Sequence, residues 1–120
     1  MSQSYPELID DLNAAIGKLR EGAPDPMRGF SALAREALKR GALDVKTKEL
    51  IAIGIAIATR CDGCIGFHAK AAIKAGATRE EILETLSMAI YMGAGPSMIY
   101  AAEALRAFDE LSPAPAGEAA

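Results

Sequence analysis

The sequence predicts an all-α fold, and three observations carry that prediction. Of its 120 residues, 25 are alanine, the strongest helix former and a side chain that lets helices approach closely. Apolar residues recur at spacings of three and four along most of the chain. The gaps between those runs hold the glycines and prolines that end helices. Together they describe a compact helical domain of about six helices around a buried central helical hairpin. It spans residues 1–111, and a Pro/Ala/Gly tail over 112–120 is expected to be disordered.

The first helix starts near Tyr5-Pro6, with Leu8, Ile9, Leu12, Ala15, Ile16 and Leu19 at helical spacing. Gly22-Ala23-Pro24-Asp25-Pro26 should break it, because prolines cannot continue a helix. The second runs from about Pro26 to Arg40, and Gly41 offers a left-handed cap. The third segment reads two ways. Ile51, Ile53, Ile55 and Ile57 alternate with small residues, as in a buried strand. Asp44-Val45-Lys46-Thr47-Lys48-Glu49 before them is a capped helix start. No other segment supplies a partner strand, which favours a helix, apolar all round and therefore central.

A fourth helix begins around Cys61-Asp62, with Asp62 expected to cap it or to interact with its N-terminus, and closes at Gly76. A fifth opens on Thr78-Arg79-Glu80-Glu81, a capping box. Gly93-Ala94-Gly95-Pro96 interrupts the chain, and Pro96 is suited to start a sixth helix ending near Leu111. Met88, Met92 and Met98 read as core filler rather than ligands.

Thirteen Lys plus Arg against sixteen Asp plus Glu give a net charge of −3 with no basic run, a poor match to nucleic acid. The longest apolar stretch, Leu50 to Ala58, is nine residues, against about 20 for a membrane span. The first residues lack the basic and apolar regions of a signal peptide. Two cysteines do not make a secreted disulfide scaffold. A cytoplasmic location is expected.

The chemistry available is concentrated in one motif. Both cysteines lie in Cys61-Asp62-Gly63-Cys64, and His68, the single histidine, follows one helical turn after Cys64. A helix N-terminus and a nearby imidazole each favour a thiolate, the reactive form of cysteine. Two cysteines three apart can also close a disulfide. A zinc site needs about four ligands; Cys61, Cys64 and His68 supply three, so no metal is expected. Glu49 abuts the apolar run from Leu50, so it is expected to be partly buried and to require a partner. On a hairpin turning at Arg60, Glu49 lies ~16 Å back along one helix and His68 ~12 Å along the other. Their contact then depends on crossing angle or on a neighbouring subunit.

Glu49, eleven residues, Cys61, two residues, Cys64, three residues and His68 resemble the signature of the alkylhydroperoxidase D-like proteins of the carboxymuconolactone decarboxylase superfamily. Thr47–Ile51, Gly76–Ile82 and Gly93–Ser97 resemble further family stretches, so the likeness covers roughly residues 27–111. The resemblance implies an all-α fold with Ile51–Ile57 helical. It implies peroxidase chemistry with Cys64 as attacking thiolate, Cys61 as resolving thiol, His68 as base and Glu49 as the group orienting it. A hydroperoxide substrate and an external thiol or dithiol reductant follow, with no cofactor and no metal. Some such peroxidases carry a second histidine just before the second cysteine; Gly63 stands there. A thiol–disulfide reductase, a redox sensor and a lactone decarboxylase of the same superfamily are the alternatives. The lactone enzyme would ask for an arginine-lined pocket, for which Arg60 is the nearby candidate. Apolar surface beyond what 120 residues can hide, with the resemblance, points to a homo-oligomer, a trimer or hexamer.

Overall fold

A computed structural model of the protein describes residues 3–113. Its elements are α1 (Tyr5–Gly22), α2 (Pro24–Ala37), α3 (Val45–Ala58), α4 (Asp62–Lys74) and α5 (Arg79–Leu111). No strand occurs among the described residues, so Ile51–Ile57 is helical. The helices α3, α4 and α5 pack on one another, α1 lies across α4 and α5, and α2 packs on α1 alone. Ile53 and Ile57 of α3, Ile65 of α4, and Ile82, Leu86 and Phe108 of α5 meet in the core. Ala56, Ala69, Ala72 and Ala104 fill the close approaches between them, the geometry small side chains permit.

Caps explain most boundaries. The Asp44 carboxylate accepts the Thr47 N–H at 2.8 Å and starts α3. Thr78 and Glu81 form the expected capping box on α5, satisfying two otherwise unpaired N–H groups. Gly76, at φ 92°, ends α4 in the left-handed region, where glycine carries no Cβ penalty.

Several expectations are corrected. Pro24 and Pro26 do not separate helices by a long break. They occupy the first turn of α2, where a missing N–H costs nothing, and Ala23 alone divides α1 from α2. The second helix stops at Ala37, three residues early. Its cap is Leu38 in right-handed geometry, not a left-handed Gly41, and Lys48 Nζ holds that end by donating to the Ala37 carbonyl at 2.9 Å. The break expected at Gly93–Pro96 is present: Ala94 leaves the helical region at φ 57°, ψ −146° and kinks α5 into two helical arms, the expected fifth and sixth helices joined without a loop. The cap of α4 is Cys61, and Asp62 stands in the first turn, where an acidic side chain meets the helix N-terminus. Met88, Met92 and Met98 are exposed rather than core. The central hairpin is buried on one side only: Ile53 and Ile57 are enclosed, while Ile51 and Ile55 on the far side of α3 are exposed. The expected tail beyond Pro113 lies outside the described residues.

A latch fixes α1 to the end of α5. Tyr5 is buried, its N–H donates to Glu110 Oε1 at 2.7 Å, and its hydroxyl donates to Glu103 at 3.3 Å. The Arg106 guanidinium sits 4.6 Å from the ring centre and donates to both carboxylates. Burial, then the Glu103 and Asp62 charges, push the Tyr5 phenol above its ordinary value, so it stays protonated as a donor.

The Tyr5 N–H, and then Arg106, hold the Glu110 carboxyl below its ordinary value. A depressed carboxylate adds stability above its unfolded titration point, and that stability is lost as pH falls through the folded one. Glu110→Gln should therefore lower the unfolding free energy at pH 7 by roughly 0.5–1 kcal/mol, the worth of a solvent-screened charged hydrogen bond. The difference from wild type should shrink as pH falls below the ordinary glutamate value of 4.5. Urea unfolding across pH checks this; a pH-independent difference would contradict it.

Candidate functional site

The site forms at the turn between α3 and α4. Arg60 takes a left-handed conformation, φ 56°, which reverses the chain between Thr59 and Cys61. Cys61 then caps α4, its Sγ accepting the Cys64 N–H at 3.2 Å. The two cysteines are joined as a disulfide, with Cα atoms 5.2 Å apart. Both residues are part-buried.

The reversal lays the middle of α4 against the start of α3. Glu49, 4% exposed, places Oε1 2.6 Å from His68 Nδ1. The contact forms within one chain, so no neighbouring subunit is required for it. The buried carboxylate has found a partner, as a charge with few routes to water must. When Nδ1 carries the proton donated to Glu49, Nε2 keeps the lone pair. That nitrogen belongs to a residue one turn along the helix from Cys64. All four expected residues are thus on one hairpin: Cys61 and Cys64 bonded to each other, Glu49 bonded to His68. Among the described residues, no three His, Cys, Asp or Glu side chains converge as a metal site would require.

Two features escaped the sequence reading. The first is the wall formed by α1. A Cβ on Gly63 would stand 2.7 Å from Leu12 Cδ1, and one on Gly66 would stand 3.1 Å from the Tyr5 ring and 3.4 Å from Ile9. Helix α1 therefore comes close over both glycines, through the Tyr5 ring and Ile9 at Gly66 and through the tip of the Leu12 side chain at Gly63. The signal was the pairing of two glycines on the cysteine helix with an amphipathic first helix, but sequence does not say which helix will lie there. The second is a notch of about 530 Å³ that reaches Glu49, lined by Arg40, Asp44, Lys46 and Lys74. Arg60 is not among these residues; Arg40, Lys46 and Lys74 are the cationic groups that line the notch. Lys46 is paired with Glu81 at 2.8 Å.

No helix of the described residues is long and apolar enough to cross a membrane.

Residues 24–107 match the profile of the carboxymuconolactone decarboxylase family. An uncharacterized protein of Cupriavidus necator is 38% identical over 104 residues, covering 87% of this chain and 92% of that protein. Among solved structures, an apo carboxymuconolactone decarboxylase family protein from Legionella pneumophila is 55% identical with a TM-score of 0.89, covering 91% of this chain and 97% of that one. A Thermotoga maritima family protein, for which involvement in an antioxidative response is suggested, is 28% identical with a TM-score of 0.77, covering 86% and 88%.

The two glycines should differ in tolerance. Gly66→Ala presses on the buried Tyr5 ring and Ile9 and should cost about 1–3 kcal/mol, as overpacking does. Gly63→Ala meets the tip of part-exposed Leu12, which can turn away, and should cost less. Thermal melts of both variants check the order; equal losses would contradict it. His68→Ala should destabilise by about 1–3 kcal/mol, because it strands a buried acceptor, and Glu49→Leu in that background should recover part of the loss.

Proposed function

Because the chain belongs to the carboxymuconolactone decarboxylase family, we propose that it is a cysteine-using member, a thiol-dependent peroxidase that reduces hydroperoxides through Cys61 and Cys64. The observation that carries this reading is the buried Glu49 carboxylate bonded to His68, on the same helix as Cys64 and one turn from it. A base held in one tautomer beside a helix-start cysteine is what thiolate chemistry needs. The role suggested for the Thermotoga maritima protein supports the same direction.

The reaction runs from the reduced pair. His68 Nε2 takes the Cys64 thiol proton, and Glu49 stabilises the imidazolium. The thiolate attacks one peroxide oxygen and the O–O bond breaks. The leaving alkoxide or hydroxide takes the proton from His68 and departs as alcohol or water. Cys64 is then a sulfenic acid. The Cys61 thiol attacks its sulfur, releasing water and closing the Cys61–Cys64 disulfide. An external thiol or dithiol returns two electrons by exchange. The scheme calls on no cofactor and no metal. It suits the cytoplasm, where thiol donors are maintained.

The notch beside Glu49 gives the lactone decarboxylase alternative a specific footing, since Arg40 and Lys74 could face a dicarboxylate. That chemistry does not use the cysteines, so it would survive their removal. A thiol–disulfide reductase or redox sensor would exchange with dithiols and ignore peroxide. Exposed apolar surface on α2, α3 and α5 supports a homo-oligomer, a trimer or hexamer, as the working form.

Stopped-flow mixing of the reduced protein with hydrogen peroxide and an organic hydroperoxide tests the reading. Two thiols should be lost per peroxide, faster than free dithiothreitol reacts; a slower loss would refute it. Cys64→Ser should abolish consumption, and Cys61→Ser should leave a trappable sulfenic acid on Cys64. His68→Ala should slow oxidation by roughly 10²-fold or more, the usual worth of a positioned acid–base group. Glu49→Gln should move the rate profile to higher pH. Turnover of a dicarboxylate lactone by Cys64→Ser would favour the alternative.

A further inference from the structure

Two apolar surfaces are left uncovered, and they differ in shape. The first is a ridge on α2. Phe30 and Leu33 are 65% and 64% exposed, α2 buries no residue, and it packs on α1 alone. An amphipathic helix with its large apolar side chains facing outward has a missing partner. The second is a groove of about 480 Å³ between α3 and α5. The small residues Gly54, Ala58, Ala89 and Gly93 and the larger Ile51, Ile55, Met88 and Met92 line it, and no charged residue does.

We propose that the α2 ridge of one chain seats in the α3/α5 groove of a second copy, so that the assembly is built head to tail. Three observations join these two surfaces to each other. Phe30 and Leu33 present bulky exposed tips and the groove is lined in part by small residues, the pairing that ridges-into-grooves packing uses. Each chain carries both halves, yet its own α2 does not pack on α3 or α5. The surroundings are opposite in charge: residues 24–40 carry Arg28, Arg35, Lys39 and Arg40 against Asp25 and Glu36, whereas the two segments that flank the groove, 45–58 and 79–93, carry Glu49, Glu80, Glu81 and Glu84 against Lys46, Lys48 and Arg79. The scale is of the right order. Ile51, Ile55, Met88 and Met92 expose on the order of 400 Å² between them, at about 150–200 Å² for a large side chain. That is about half of the ~800 Å² per partner in a stable interface.

A contact between two different patches is heterologous and closes as a ring when its rotation permits. Such a ring would be the trimer of the preceding subsection, and the proposal rests on that oligomeric reading, not on the peroxidase chemistry.

Light scattering on purified full chain at micromolar concentration tests it. Wild type should have the mass of three or more chains. Phe30→Glu removes the ridge and Ile55→Glu removes the groove. Each variant alone should have the mass of one chain, since every copy then lacks the same half. An equimolar mixture should give two chains, because one intact ridge meets one intact groove. Both positions are exposed, and circular dichroism reports whether each variant stays helical. Hydroxyl-radical footprinting of wild type needs no variant: dilution to monomer should raise labelling of Phe30 and of Met88 and Met92 together. A monomeric wild type overturns both this proposal and the oligomer. Retention of wild-type mass by either variant, a mixture that stays monomeric, or a rise in labelling on one surface only overturns the ridge-in-groove pairing while leaving an oligomer standing. Peroxide consumption is read separately.

Discussion

The contact between Glu49 and His68 is the constraint around which the hairpin is arranged. A carboxylate inside an alanine- and isoleucine-rich bundle has little water to solvate it. It therefore requires a polar partner on the facing helix, and the chain contains one histidine. Bringing that histidine within 2.6 Å fixes the register of α4 on α3. The register in turn dictates a turn tight enough to need a left-handed residue at Arg60. It also leaves Cys61 at the helix start, where its sulfur becomes the cap. Sulfur chemistry and hairpin geometry are thus set by the same buried charge.

Much of this was legible in the residues. The all-α class, the helical starts at Asp44 and Thr78 and the left-handed Gly76 follow from local chemistry that acts over a few residues. The partnership of Glu49 was legible in part: its position beside an apolar run said that it needed a partner, and the spacing did not say which. Where local reasoning failed, two local solutions competed. Pro24 and Pro26 can end one helix or begin the next. Cys61 and Asp62 can each cap α4, and the sulfur took the place usually given to an oxygen. The walls behind Gly63 and Gly66 were not legible, because they depend on α1, which meets α4 only through tertiary packing.

The alanine excess has two consequences that composition alone does not separate. Inside the chain, Ala69, Ala72 and Ala104 let three helices come together around a few isoleucines. On α3, the same economy leaves a helix apolar on every side while a single chain encloses only one of them. A helix can carry the sequence of a core element without the chain supplying a core on both faces.

The narrow gap over Gly63 bears on how such a site could be diversified. The position between the two cysteines is where a second histidine stands in some related peroxidases. Here the space above it belongs to Leu12. An imidazole there would have to displace the Leu12 tip, by a turn of that side chain, a smaller residue 12 or an outward shift of α1. The two positions, fifty-one apart in sequence, are therefore tied by volume. A lineage that gained a histidine at one would be expected to trade bulk at the other, leaving a paired signature of substitution that neither residue's chemistry would suggest alone.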